Sequence, residues 1–108
     1  GSLDDFHLLS PDTIESGQET QSDGKDLVLG GMHTRFGLGF MLGTENVSMG
    51  PNPNAFGHGG AGGSLGFSDP DNHISLGFVM NQMHPGITAW KTSTDLAESV
   101  YKSLSIIK

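Results

Sequence analysis

A chain of 108 residues is long enough for one domain, and 34% hydrophobic residues with 17 glycines leave a small core and many special backbone positions. A net charge of −7, with only five Lys and Arg, argues against nucleic acid and against anionic membrane surfaces as partners. The absence of cysteine excludes a disulfide framework and a thiolate zinc site, and no apolar run approaches the roughly 20 residues of a membrane-spanning helix.

Residues Gly1-Ser2 read as the scar of a removed tag, and without an initiator Met the chain reads as a piece of a longer protein whose compartment is open. Residues 3–35 read as a polar N-terminal segment. Ser10 is placed to cap a short helix from Pro11 to Ser16, with Pro11 at its first position. Residues 17–26 read as a mobile acidic loop, and Leu27-Val28-Leu29 as a strand or a docked loop.

Residues 36–108 read as an antiparallel sheet followed by a helix. Phe36 to Leu42 alternates, with Phe36, Leu38, Phe40 and Leu42 on one face and Gly37 and Gly39 on the other. A loop over 43–55 carries the turn Pro51-Asn52-Pro53-Asn54. Ser64 to Ser68 alternates again and is joined by the turn Asp69-Pro70-Asp71-Asn72 to a strand from Ile74 to Asn81, which makes a hairpin. Thr92 is placed to cap a closing helix with Asp95 in its first turn. Leu96, Ala97, Val100, Tyr101 and Leu104 form its apolar stripe, and Trp90 anchors it by packing. The predicted fold is α+β: an antiparallel sheet of three to four strands with the C-terminal helix packed on it.

Between loop and hairpin lies Phe56-Gly57-His58-Gly59-Gly60-Ala61-Gly62-Gly63, in which five of eight residues are glycine. Glycines so concentrated, between ordered-looking apolar segments, point to backbone that must approach a ligand closely or take angles a Cβ forbids. One imidazole amid bare backbone suits a site offering N–H groups and a single side-chain donor or acceptor to a small molecule. The bland readings are a flexible tether and, for His58, a partly packed strand residue. The other histidines, His7, His33, His73 and His84, are scattered without an i, i+4 pair, so no metal and no cofactor is expected. Asp69 and Asp71 sit in a turn and do not suggest paired catalytic carboxylates.

The order Gly37-Leu38-Gly39-Phe40, loop, His58-Gly59-Gly60-Ala61-Gly62-Gly63, hairpin ending at Val79-Met80-Asn81 and terminal helix resembles the C-terminal part of serine β-lactamase-like hydrolases. These include class C β-lactamases, D-alanyl-D-alanine carboxypeptidases and related esterases. The resemblance runs from about Leu8 to Leu104, and His58-Gly59-Gly60 matches the His-containing form of the third catalytic motif. It implies acyl transfer through an acyl-serine, with an ester, amide or peptide-like small molecule as substrate. It gives His58, Gly60 and Ala61 catalytic positions, the Ala61 N–H supplying half of the oxyanion hole. His58, Gly59, Gly62 and Gly63 would line the substrate.

The family's nucleophile opens a Ser-x-x-Lys motif. Ser22-Asp23-Gly24-Lys25 and Ser105-Ile106-Ile107-Lys108 fit the pattern in contexts that do not suit it, and no Tyr-x-Asn or Ser-x-Asn occurs. No nucleophile is therefore assigned, and the chain alone is expected to be inactive and to partner the missing N-terminal part of its own domain. The alternative is a non-catalytic scaffold or binding protein that keeps the fold. The uncovered edge of the Ile74–Asn81 strand is expected to promote self-association.

Overall fold

The computed structural model describes residues 1–106, including the side chains of all of these but Ile87 and Thr88. Two short strands, β1 (Ser2–Leu3) and β2 (Phe6–His7), pair antiparallel at the N-terminus. Helix α1 (Pro11–Gln18) starts where the sequence predicts. Ser10 is extended, its hydroxyl accepts the Thr13 N–H at 3.2 Å, and Pro11 opens the first turn. There follow β3 (Ser22–Asp26), β4 (Met32–Phe36), β5 (Met41–Leu42), β6 (Phe56–Gly59), β7 (Leu65–Asp69) and β8 (Ile74–Phe78). A 3-10 turn (Ile87–Trp90) runs into α2 (Lys91–Ser103). The sheet is a six-stranded antiparallel meander in the order β3-β4-β5-β6-β7-β8. The α+β class and the closing helix are as expected, and the sheet has more strands than the three to four anticipated.

The differences have physical causes. The helix continues to Gln18 because the buried Gly17 packs against Phe40 and its carbonyl accepts the Leu38 N–H at 3.0 Å. Residues 22–26, expected as part of a mobile loop, form β3 although Ser-Asp-Gly-Lys-Asp has no apolar side chain. Each residue pairs with β4, from Ser22↔Phe36 to Asp26↔Met32, so tertiary pairing overrides propensity. Asp26 closes the hairpin by accepting the Val28 and Leu29 N–H groups at 2.9 and 3.1 Å. Leu27 and Val28 are thereby placed in an exposed turn, neither strand nor docked loop.

The single strand predicted over Phe36–Leu42 is broken. Gly37 N–H bonds the Phe40 carbonyl at 2.8 Å and Gly39 sits at φ +83, so β4 stops at Phe36 and β5 begins at Met41. The strand predicted to reach Asn81 ends at Phe78. Thr92 does not cap α2. The 3-10 turn delivers Trp90 to the N-cap position with no side-chain cap bond, and Asp95 pairs instead with Lys91 at 2.5 Å. Of the predicted stripe, Ala97 and Tyr101 are buried while Leu96 and Leu104 stay exposed.

What fixes α2 on the sheet is a carboxylate. Asp69, at the end of β7, is fully buried and accepts from Tyr101 Oη at 2.5 Å, Asn52 Nδ2 at 2.6 Å, Asn72 Nδ2 at 2.9 Å and Asn72 N–H at 3.1 Å. Burial by itself pushes the Asp69 carboxyl up, but the bonds from Tyr101, Asn52 and Asn72 outweigh it and hold the group below its ordinary value. Burial and the same contact push the Tyr101 phenol well above its usual range. One charge therefore joins helix, hairpin turn and the 43–55 loop. A depressed carboxyl stabilises the fold above its unfolded pKa of about 3.9 and ceases to do so as pH falls through the folded value. Tyr101→Phe removes one donor and moves the Asp69 pKa back toward its unfolded value. Urea unfolding is expected to show a loss of about 1–3 kcal/mol at neutral pH and a shallower decline of stability in acid. Unchanged stability and an unchanged acid limb would contradict this role.

Candidate active site

Strand β6 carries the site. Its register with β7 pairs Gly57↔Phe67, His58↔Gly66 and Gly59↔Leu65, and β7 pairs Gly66↔Gly77, Phe67↔Leu76 and Leu65↔Phe78 with β8. Cross-strand partners share a face. Gly57 and Gly59 thus face inward with the buried Leu65 and Phe67, while His58 stands on the opposite face beside Gly66 and Gly77. The imidazole consequently has two bare strands alongside it, a strip about 10 Å wide at normal strand spacing.

His58 is exposed, lies 5.8 Å from the Phe36 ring between centroids, and its Nδ1 is 2.5 Å from the Gly59 carbonyl oxygen. A carbonyl only accepts, so Nδ1–H is the donor in this contact.

The turn after β6 is held from behind. The indole of Trp90 occupies the space a Cβ at Gly59 would need, 2.6 Å from Nε1, and Nε1–H donates to the Ser64 carbonyl at 3.2 Å. That carbonyl also accepts Gly60 N–H at 2.7 Å, and Gly63 N–H bonds the Gly60 carbonyl at 3.2 Å. Gly63 is at φ +113, and a Cβ there would overlap the Ala89 carbonyl oxygen. Met83 packs on Gly62, whose carbonyl accepts the His84 N–H at 3.1 Å. Ala61 projects from this turn, exposed, and its N–H donates to none of the described residues. The run is an ordered strand and turn, and the expected site residues His58 to Gly63 are brought together. The sequence reading missed the partners behind them, Ser64, Met83, His84 and Ala89. They lie on segments whose local pattern carries no such signal. Trp90 was legible only as a packing anchor.

The two Ser-x-x-Lys matches lie elsewhere. Ser22 and Lys25 are on β3, three strands from β6, and residues three apart on a strand point to opposite faces. Ser105 follows α2 at φ +59, and Lys108 of that match lies outside the described residues. Among the described residues no group of three or more His, Asp and Glu could hold a metal ion.

A second polar cluster lies at the β3 end of the sheet. His33 Nε2 is 2.6 Å from Asp23 Oδ1 and Nδ1 is 3.0 Å from Glu45 Oε2, while Arg35 Nε is 3.8 Å from Asp23. The bonds to Asp23 and Glu45 raise the His33 pKa. Glu45 is lowered, first by its own backbone N–H and then by His33. An apolar cavity of about 790 Å³ lies between the N-terminal hairpin, α1 and the sheet, bordered by Leu3, Phe6, Phe40, Phe56 and Ile74. His58 and the glycine turn do not line it.

The beta-lactamase family model matches residues 2–97. Three solved structures resemble the chain. A penicillin-binding protein homolog from Caulobacter crescentus is 37% identical with a TM-score of 0.86 over 95% of this chain and 28% of its own. A family VIII carboxylesterase is 32% identical, TM-score 0.72, over 90% of this chain and 27% of its own. EstA from Arthrobacter nitroguajacolicus Rue61a is 30% identical, TM-score 0.65, over 82% and 25%. The chain thus spans between a quarter and three tenths of these relatives. No curated protein matches it significantly.

Gly63→Ala is expected to lower the melting temperature, with a cost of about 1–3 kcal/mol from the forced backbone angle. Gly77→Ala, where a Cβ meets nothing within 4 Å, is expected to cost nothing. Equal effects at the two positions would contradict the packed turn. For His33, proton NMR is expected to give a pKa above 6.5, falling on Asp23→Asn. A raised His pKa adds stability below the unfolded value that disappears as pH rises through the folded one.

Proposed function

The chain belongs to the beta-lactamase family, and on that premise we propose that it forms one wall of the acyl-transfer site of a serine hydrolase whose nucleophile is supplied by residues outside this chain. The observation that carries the reading is the exposed Ala61, in the turn after the strand bearing His58, whose N–H donates to none of the described residues.

In this reading a serine hydroxyl, its proton taken by a base that like the serine lies outside this chain, attacks the ester or amide carbonyl, whose π electron pair moves to oxygen. The developing oxyanion takes a hydrogen bond from Ala61 N–H. Collapse expels the alcohol or amine, to which the base returns the proton, and water then releases the acyl group. Because Gly60 N–H and the Ser64 carbonyl are bound behind the turn, the Ala61 donor needs no rearrangement. His58 lines the pocket and offers Nε2 to the substrate. Neutral imidazole anchors an anion less well than lysine at neutral pH, which favours a small ester or peptide-like substrate over a β-lactam. The strip beside His58, floored by Gly66 and Gly77, leaves room for such a molecule.

The second reading is a scaffold that keeps the fold without chemistry. In that reading no nucleophile meets β6, and Ser22 and Lys25 of this chain, three strands away, supply none. A chimera separates the two. This segment replaces the corresponding 27% of the family VIII carboxylesterase, and p-nitrophenyl ester hydrolysis is measured. Retained turnover that falls about 10²–10³-fold in kcat on Ala61→Pro, with the fold intact by circular dichroism, is the expected result. A chimera indifferent to Ala61→Pro would overturn the hydrolase reading. The isolated chain is expected to hydrolyse neither nitrocefin nor p-nitrophenyl esters, and activity lost on Ser22→Ala would contradict the assignment of the nucleophile elsewhere.

A further inference from the structure

The break between β4 and β5 brings an aromatic ring to His58. β5 is two residues long, and its pairing with β6 stops at Met41↔Gly57, one position short of His58. Phe36 closes β4 opposite Met41. By register it shares the face of Met41 and Gly57 rather than that of His58. Its ring nevertheless lies 5.8 Å from the imidazole between centroids, tilted by 50°, within the range in which aromatic rings attract each other. Phe36 is itself fixed. Its carbonyl accepts the Gln21 N–H at 2.7 Å, and its side chain packs against the buried core. The residue after it, Gly37, is pressed on α1: a Cβ there would lie 2.1 Å from the Gly17 carbonyl oxygen, which also accepts the Leu38 N–H at 3.0 Å. The end of β4 is thus held by strand pairing on one side and by α1 beyond it.

We propose that Phe36 is a positioning residue for His58. The cross-strand neighbours of His58 on β7 and β8 are Gly66 and Gly77, which have no side chain to steady it. Among the described residues two contacts hold the imidazole: the Gly59 carbonyl, 2.5 Å from Nδ1, and the Phe36 ring. The hydrogen bond alone leaves the ring free to swing about it, and the aromatic contact closes off that swing. Together they keep the side chain in one rotamer, as a group that must meet a substrate in one orientation requires. Phe36 touches the imidazole and acts only through it. The inference rests on the acyl-transfer role proposed for the strand that bears His58.

Proton NMR of the native chain is expected to show nuclear Overhauser contacts between the Phe36 and His58 rings, with the His58 ring protons displaced by the Phe36 ring current. Phe36→Leu, which keeps an apolar side chain against the core, is expected to remove that displacement and leave the His73 protons unmoved. Absence of the ring contacts in the native chain overturns the proposal, and that measurement needs no variant to fold. In the carboxylesterase chimera, Phe36→Leu is expected to lower kcat/KM for a p-nitrophenyl ester about tenfold, and Phe36→Tyr to restore most of it. In a His58→Ala background the same Phe36→Leu is expected to change nothing, because Phe36 acts through His58. An equal loss in both backgrounds overturns the proposal and leaves Phe36 a structural residue. A chimera indifferent to His58→Ala itself overturns the hydrolase reading instead, and the ring contacts in the native chain then decide alone whether Phe36 holds the imidazole.

Discussion

The carboxylate of Asp69 is the constraint from which the rest of the structure follows. A fully buried charge is tolerated only when its lone pairs are filled, and here three side chains from three segments fill them: Tyr101 from α2, Asn52 from the 43–55 loop and Asn72 from the hairpin turn. The carboxylate works beside apolar burial: the 43–55 loop also buries Val47, Met49 and Ala55, whereas the hydrophobic side chains that α2 buries are Ala97 and Tyr101. Asn52 does double service, its amide also reaching Asp71 at 2.9 Å, so the two neighbouring carboxylates are bridged by a shared donor.

From this anchor the order passes to the site. Tyr101 sets the position of α2, and α2 begins at Trp90, whose indole fills the space left by Gly59 and bonds the Ser64 carbonyl. The glycine turn is therefore gripped between the sheet and the segment leading into the helix, with Ala89 pressed on Gly63 and Met83 on Gly62. Glycine is required there because tryptophan and backbone occupy what would be side-chain space. On the opposite face the same run leaves His58 and the Ala61 N–H uncovered. Tight packing behind and openness in front is what the proposed role of the Ala61 N–H requires.

Much of this was legible where the physics is local. Ser10-Pro11 announced α1, the alternation in Ser64–Ser68 and from Ile74 to Asn81 announced the hairpin, though the second strand ends at Phe78, and the apolar spacing after Trp90 announced the closing helix. What escaped was non-local. β3 consists of residues that do not favour strands and exists only because β4 lies beside it. The alternation from Phe36 to Leu42 put Phe36, Leu38, Phe40 and Leu42 on one face, but Gly37 and Gly39 turn the chain between two short strands, so Phe36 pairs with Met41, Leu42 with Arg35, and Leu38 and Phe40 stay exposed. At the site, His58 and its glycines stood out as a cluster, whereas Trp90 could be given only a packing role because its acceptor is 26 residues away. Asp69 read as a turn residue, since nothing local marks a carboxylate whose chief donor lies 32 positions on.

The most direct test of the account is hydrogen exchange at the Trp90 indole N–H and the Gly60 amide, followed in the native chain and in Tyr101→Phe. Both protons share the Ser64 carbonyl, and both depend on α2 being held by Asp69. The account predicts that they are protected together and lose protection together when the Tyr101 hydroxyl is removed. Free exchange of the indole in the native chain, or protection untouched by the substitution, would contradict it.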